Sequence, residues 1–175
     1  TGFGTWDVEV ALESTSPTDV PAYADFDGDG LVDIALKTDG GYWRIDYAAN
    51  GWGVWDEERT GRGDSEALPV PADYDGDGSA DIAVWDGPEG IWYIDNSVNG
   101  FGVWDQEISD LGARTISEGV PADYDGDGAI DLAVKTGEGE WFIDYASNGF
   151  GSWDEVLTGR GGDGSRAVAG DYDGR

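Results

Sequence analysis

Carboxylates recur in this chain at a spacing that suits a hard cation. The pattern Asp-x-Asp-Gly-Asp-Gly-x-x-Asp occurs complete three times, at 25–33, 73–81 and 123–131. Side chains at the first, third and fifth positions of so tight a loop converge on one point. They are Asp25, Asp27 and Asp29 in the first loop, Asp73, Asp75 and Asp77 in the second, and Asp123, Asp125 and Asp127 in the third. The sixth position is glycine each time, as a sharp turn around an ion requires. The seventh would present a backbone carbonyl, from Leu31, Ser79 or Ala129, which leaves its side chain free to vary. The ninth, Asp33, Asp81 or Asp131, closes the shell. Oxygen-only, multiply charged ligand sets suit calcium better than magnesium, zinc or copper, so about three Ca2+ sites are expected.

Two other readings of these loops compete. Asp and Gly dominate ordinary solvated turns, yet one ligand spacing repeated three times is more than turn chemistry demands. An EF-hand needs flanking helices and a Glu at position twelve. Leu36, Val84 or Val134 stands there, inside what reads as a strand. Composition narrows the chemistry further. The 175 residues contain no Cys, His or Met, so thiolates, zinc-thiolate sites and the commonest general base are all excluded. With 38 acidic residues against nine basic ones the net charge is −29, which repels nucleic acid and anionic lipid. No run approaches the roughly 18 apolar residues of a membrane span, so no membrane insertion is expected. No charged-then-apolar leader follows Thr1.

The elements that position these loops repeat with a period of 49 residues. Trp6-Asp7 recurs as Trp55-Asp56, Trp104-Asp105 and Trp153-Asp154, each preceded by a glycine-aromatic-glycine triplet. Trp43, Trp92 and Trp141 keep the same spacing, as do Ile45-Asp46, Ile94-Asp95 and Ile143-Asp144. Ile34-Ala35-Leu36, Ile82-Ala83-Val84 and Leu132-Ala133-Val134 read as buried strands. The segments 43–47, 92–96 and 141–145 alternate, with Trp and Ile on one face. Further strands are expected over 55–60 and 68–73. With 30 glycines, 22 aromatics and no helical period, the expected fold is all-β. It is built of tandem four-stranded β-propeller-type blades, about three and a half of them. The units fall at 21–68, 69–118 and 119–166, with a partial repeat over 1–20 and the start of a fourth over 167–175. These ends suggest a piece of a longer array, or ends completed by neighbouring chains.

The acidic loops leading into Asp-Ile-Ala-Val-like strands resemble the FG-GAP/VCBS repeats of secreted and surface proteins. That resemblance covers nearly the whole chain. It implies β-propeller blades with calcium in a loop between strands, as in integrin α-subunit heads and some propeller lectins, and its ligands would be the Asp residues already named. The Gly-Ala-Pro element of integrin-type repeats is absent, which points to the bacterial-type branch. The fourth loop, Asp171-Tyr172-Asp173-Gly174-Arg175, carries Arg where the third Asp belongs.

Other motifs have plainer readings. Arg62-Gly63-Asp64-Ser65 spells a cell-adhesion tripeptide, but Gly159-Arg160-Gly161 shows that Gly-Arg-Gly belongs to the repeat's own turn. The repeated Trp residues favour core packing over sugar stacking. The turn aromatics Trp52, Phe101 and Phe150 are where a carbohydrate would be sought. Without His or Cys, catalysis would need a carboxylate pair or a Ser/Lys arrangement, and the best acidic clusters are committed to metal, so no enzyme is expected. The expected function is a noncatalytic, calcium-binding extracellular or cell-surface repeat module, structural, adhesive or self-associating through unmatched terminal strands. The alternative is a carbohydrate-binding propeller lectin.

Overall fold

The computed structural model describes residues 16–109, 111–112, 117–162 and 164–168. The opening segment with Trp6-Asp7, and the fourth acidic loop at 171–175, lie outside the described residues. Among the described residues, twelve strands form three four-stranded antiparallel sheets, each a simple meander in sequence order. The first holds β1 (Val20–Ala24), β2 (Asp33–Lys37), β3 (Trp43–Asp46) and β4 (Glu57–Arg59). The second holds β5 (Ala67–Pro69), β6 (Ile82–Asp86), β7 (Ile91–Asp95) and β8 (Gln106–Ile108). The third holds β9 (Ser117–Gly119), β10 (Leu132–Thr136), β11 (Trp141–Asp144) and β12 (Glu155–Leu157). The central register is the same in all three: Ala35 faces Ile45, Ala83 faces Ile94, and Ala133 faces Ile143. No helix among the described residues is long and apolar enough to cross a membrane.

The sheets stack through their faces, and the side-chain period of two decides which residue meets which neighbour. Ala35, Trp43 and Ile45 of the first sheet share a core with Ala67, Ile82 and Val84 of the second. Ala83, Trp85, Trp92 and Ile94, on the opposite face of the second sheet, share another with Leu132 and Val134 of the third. Strand β6 is therefore buried at every residue, and its unbroken apolar run follows from having a neighbour on both sides. Trp43 and Trp92 are wholly buried, whereas Trp141, on the far side of the third sheet, is half-buried.

The strand entering each acidic loop is interrupted in the second and third sheets. Instead of running over 68–73, β5 stops at Pro69; Val70 N–H still donates to the Ala83 carbonyl at 2.9 Å, and beyond Pro71 the pairing reduces to a single bridge between Ala72 and Asp81. The third sheet repeats this at Pro121, with a bridge from Ala122 to Asp131. The expected strand over 55–60 shortens to Glu57–Arg59, because Asp56 N–H instead closes back onto the Ile45 carbonyl at 2.8 Å.

Between sheets the backbone itself comes into contact. The β2–β3 turn puts Gly41 at φ +71°, where an added Cβ would sit 1.9 Å from the Gly63 carbonyl oxygen. Gly139 repeats this against Gly161 at 2.1 Å. Gly41→Ala should therefore destabilise the chain by more than about 1 kcal/mol, since strain and a backbone clash add. Gly102→Ala, in open space without a positive φ, should cost less. Urea midpoints of the two variants check this, and equal shifts would contradict it.

Candidate metal sites

Each acidic loop is shaped by its own carboxylates. Asp25 Oδ1 accepts the N–H of Gly28 at 2.8 Å and of Asp29 at 3.1 Å, while its Oδ2 accepts Gly30 N–H at 2.8 Å. Asp73 does the same with Gly76, Asp77 and Gly78. Asp123 does so with Gly126 and Gly128. The third and fifth carboxylates each accept the N–H two residues on, as from Asp29 to Asp27 and from Leu31 to Asp29. The sixth-position glycines take φ of +87°, +97° and +94°, a left-handed conformation that side chains rarely adopt.

Asp33, Asp81 and Asp131 are fully buried and do more than close a shell. One oxygen of each accepts the N–H of the loop's second residue, Phe26, Tyr74 or Tyr124, at 2.7–2.9 Å. The other accepts the N–H that opens a short 3-10 turn at Ala48, Ser97 or Ala146. These carboxylates thus tie the loop, the second strand of the sheet and the turn after its third strand into one unit. The turns also reach the loops by hydroxyl groups: Ser97 Oγ bonds Asp77, and Ser147 Oγ bonds Asp125.

The structure brings carboxylate oxygens within 4.8 Å of one another in all three loops. The groups are Asp25, Asp27 and Asp29; Asp73, Asp75 and Asp81; and Asp123, Asp125 and Asp127. Asp33, Asp77 and Asp131 lie outside these sets. Leu31, Ser79 and Ala129 stand at the seventh positions, with Leu31 exposed. Leu36, Val84 and Val134 are buried core residues, which removes the position-twelve ligand of an EF-hand. Each pair of charges at this separation repels by about 1 kcal/mol in water, and by about 3 kcal/mol at an effective dielectric of 20. Burial pushes Asp81 up to about 6, with Asp75 and Asp73 adding to the rise against the hydrogen bonds from Ser97 and Tyr74. Burial also raises Asp33 and Asp75, again with neighbouring carboxylates contributing. The donors are all oxygen and carry an excess of negative charge, so the residues present fit a hard divalent cation.

The recurring Asp46, Asp95 and Asp144 emerge as a second set of buried acids. Each accepts an N–H from the Gly-aromatic-Gly turn, from Gly53, Gly102 and Gly151 respectively. Their recurrence after Ile was visible in the sequence, but alternation alone placed them on the polar face. Asp95 also forms an ion pair with Arg62, which lies in the connection between the first and second sheets. Arg62 is 7% exposed, and its guanidinium lies 5.1 Å from the centre of the Trp104 ring. The arginine of the Arg-Gly-Asp tripeptide is thus a contact between sheets. Two of the three turn aromatics are similarly engaged: Phe101 packs on the core between the first and second sheets, and Phe150 on that between the second and third.

Residues 73–134, which span the second and third acidic loops, match the family model of an FG-GAP-like repeat. Comparison with curated proteins and with solved structures gave no match.

Proposed function

We propose, on the premise of that FG-GAP-like repeat, that the chain is a noncatalytic calcium-stabilised module of an extracellular or cell-surface protein. Its role is structural or adhesive. The observation that carries this reading is the threefold convergence of carboxylates in one loop geometry. Asp25, Asp27, Asp29 and Asp33 would hold the first ion with the Leu31 carbonyl. Asp73, Asp75, Asp77 and Asp81 would hold the second with that of Ser79. Asp123, Asp125, Asp127 and Asp131 would hold the third with that of Ala129. Bound calcium cancels the repulsion within each loop and favours the folded chain over the unfolded one. Nothing in this reading calls for turnover of a substrate.

The blade-like stacking of sheets also suits an assembly that extends by adding like units, including further copies of this chain. Light scattering in millimolar calcium and in excess chelator tests that part. Calcium-dependent growth supports it, and an unchanged monomer mass in both contradicts it.

The calcium reading itself is tested at single residues. Asp127→Ala should lower the melting temperature in millimolar calcium and leave it nearly unchanged in chelator. Equal shifts in the two conditions would sink the reading, because the carboxylate would then act only through its hydrogen bond to Ala129 N–H.

A further inference from the structure

The first two acidic loops touch each other, and the contact falls on groups that matter for binding a cation. Ala80 N–H donates to the Asp25 carbonyl oxygen at 2.7 Å. Close by, an added Cβ on Gly28 would lie 2.6 Å from Ser79 Oγ and 3.2 Å from the Gly78 carbonyl oxygen. The second and third loops are related differently. A Cβ on Gly76, the counterpart of Gly28, would meet nothing within 4 Å. Ile130, the counterpart of Ala80, makes no such bond to Asp73 among the described residues. Sequence spacing accompanies the difference, since 48 residues separate Asp25 from Asp73 and 50 separate Asp73 from Asp123.

The Ala80 N–H shares a rigid planar peptide with the Ser79 carbonyl, and no peptide among the described residues is cis. In a trans peptide the two groups point in opposite directions. The carbonyl that the second loop would offer to its ion therefore points away from Asp25, while the N–H of the same plane holds the backbone of the first loop's leading ligand. A cation that polarises the carbonyl makes the N–H a stronger donor. Ordering of either loop also fixes a plane that the other needs, so the second binding event orders less chain.

We infer that calcium binding at the first and second loops is positively coupled through the Ser79–Ala80 peptide, and that the third loop binds independently. This rests on the calcium reading proposed above. The test is a calcium titration of the full chain, followed at the backbone amide resonances of Gly30, Gly78 and Gly128, one for each loop. It is run at high salt, where direct charge effects between loops are screened. Asp29→Ala disables the first loop at an exposed residue, and should weaken binding at the second by about 5-fold or more, the lower end of ordinary coupling. Asp77→Ala should weaken the first loop by the same factor, because coupling is reciprocal. Asp127→Ala should leave both midpoints where they were. Unchanged midpoints at the second loop in Asp29→Ala and at the first in Asp77→Ala would overturn the coupling while leaving the calcium reading intact. If none of the three glycine resonances responds to calcium in the unaltered chain, the calcium reading falls, and the coupling with it.

Discussion

Excess chelator is expected to lower the unfolding free energy of this chain by as much as about 8 kcal/mol relative to millimolar calcium. The figure follows from mass action. An ion at about a hundred times its dissociation constant stabilises the state that binds it by about 2.7 kcal/mol, and three loops contribute together. It is an upper bound, because an unfolded run of aspartates retains some affinity and lowers the difference. The full figure is comparable to the whole stability of an ordinary domain, which is about 5–15 kcal/mol. Urea unfolding in calcium and in chelator reads the effect as a change in midpoint. The same midpoint in both buffers would mean that the loops fold and hold without an ion. Magnesium at the same concentration should restore less, since it demands near-octahedral geometry and gives up its water reluctantly.

The second large effect is expected at Arg62. Its Nε donates to Asp95 Oδ2 across the junction of the first two sheets, and both groups are almost wholly buried. Its own backbone carbonyl accepts the indole N–H of Trp43 at 3.0 Å, which keeps the main chain in place when the side chain is altered. Arg62→Ala leaves Asp95 buried without its counter-charge, and breaking a buried pair in this way costs about 3–5 kcal/mol. Arg62→Leu should cost less. The protein makes that replacement itself one repeat later, where Leu111 is buried and Trp153 Nε1 donates to its carbonyl at 2.7 Å. Asp144, the third-sheet counterpart of Asp95, has an Oδ1 with no hydrogen-bond partner among the described residues, and burial raises its pKa. Urea midpoints order the variants: unaltered chain above Arg62→Leu, and Arg62→Leu above Arg62→Ala. An Arg62→Ala chain as stable as the original would show that the pair contributes nothing net. The same burial makes Arg62 a poor ligand for a cell-surface receptor, so Asp64→Glu should leave cell attachment unchanged.

Much of this architecture was legible because a repeat states each rule several times. The Ile-Ala-Leu, Ile-Ala-Val and Leu-Ala-Val runs mark second strands, the Trp and Ile of the third strands share a face, and the acidic loops join first strands to second. Three features were not legible, each for a physical reason. The burial of Asp46, Asp95 and Asp144 runs against alternation, and only the three-dimensional closeness of the Gly-aromatic-Gly turn supplies the N–H that makes it tolerable. The double role of Asp33, Asp81 and Asp131 depends on 3-10 turns 15 or 16 residues away, beyond the reach of local spacing. Arg62 looked like a turn residue because its partner Asp95 lies 33 positions on, in another sheet. Lys37 and Trp85 show the same limit. They occupy equivalent places and reach forward, one donating to the Asp64 carbonyl just before β5 and the other to Ser117 Oγ at the start of β9. Two side chains so unlike in type give no common signal in a sequence.

Equilibrium dialysis of the intact chain against calcium, with bound ion counted per chain, separates binding at the three loops from diffuse attraction of cations to the −29 charge. The calcium reading requires saturable binding that levels off at three ions per chain, one for each carboxylate group, and that falls by one ion in Asp127→Ala. Binding that stays unsaturated and diffuse up to millimolar calcium, with no loss in that variant, would contradict it.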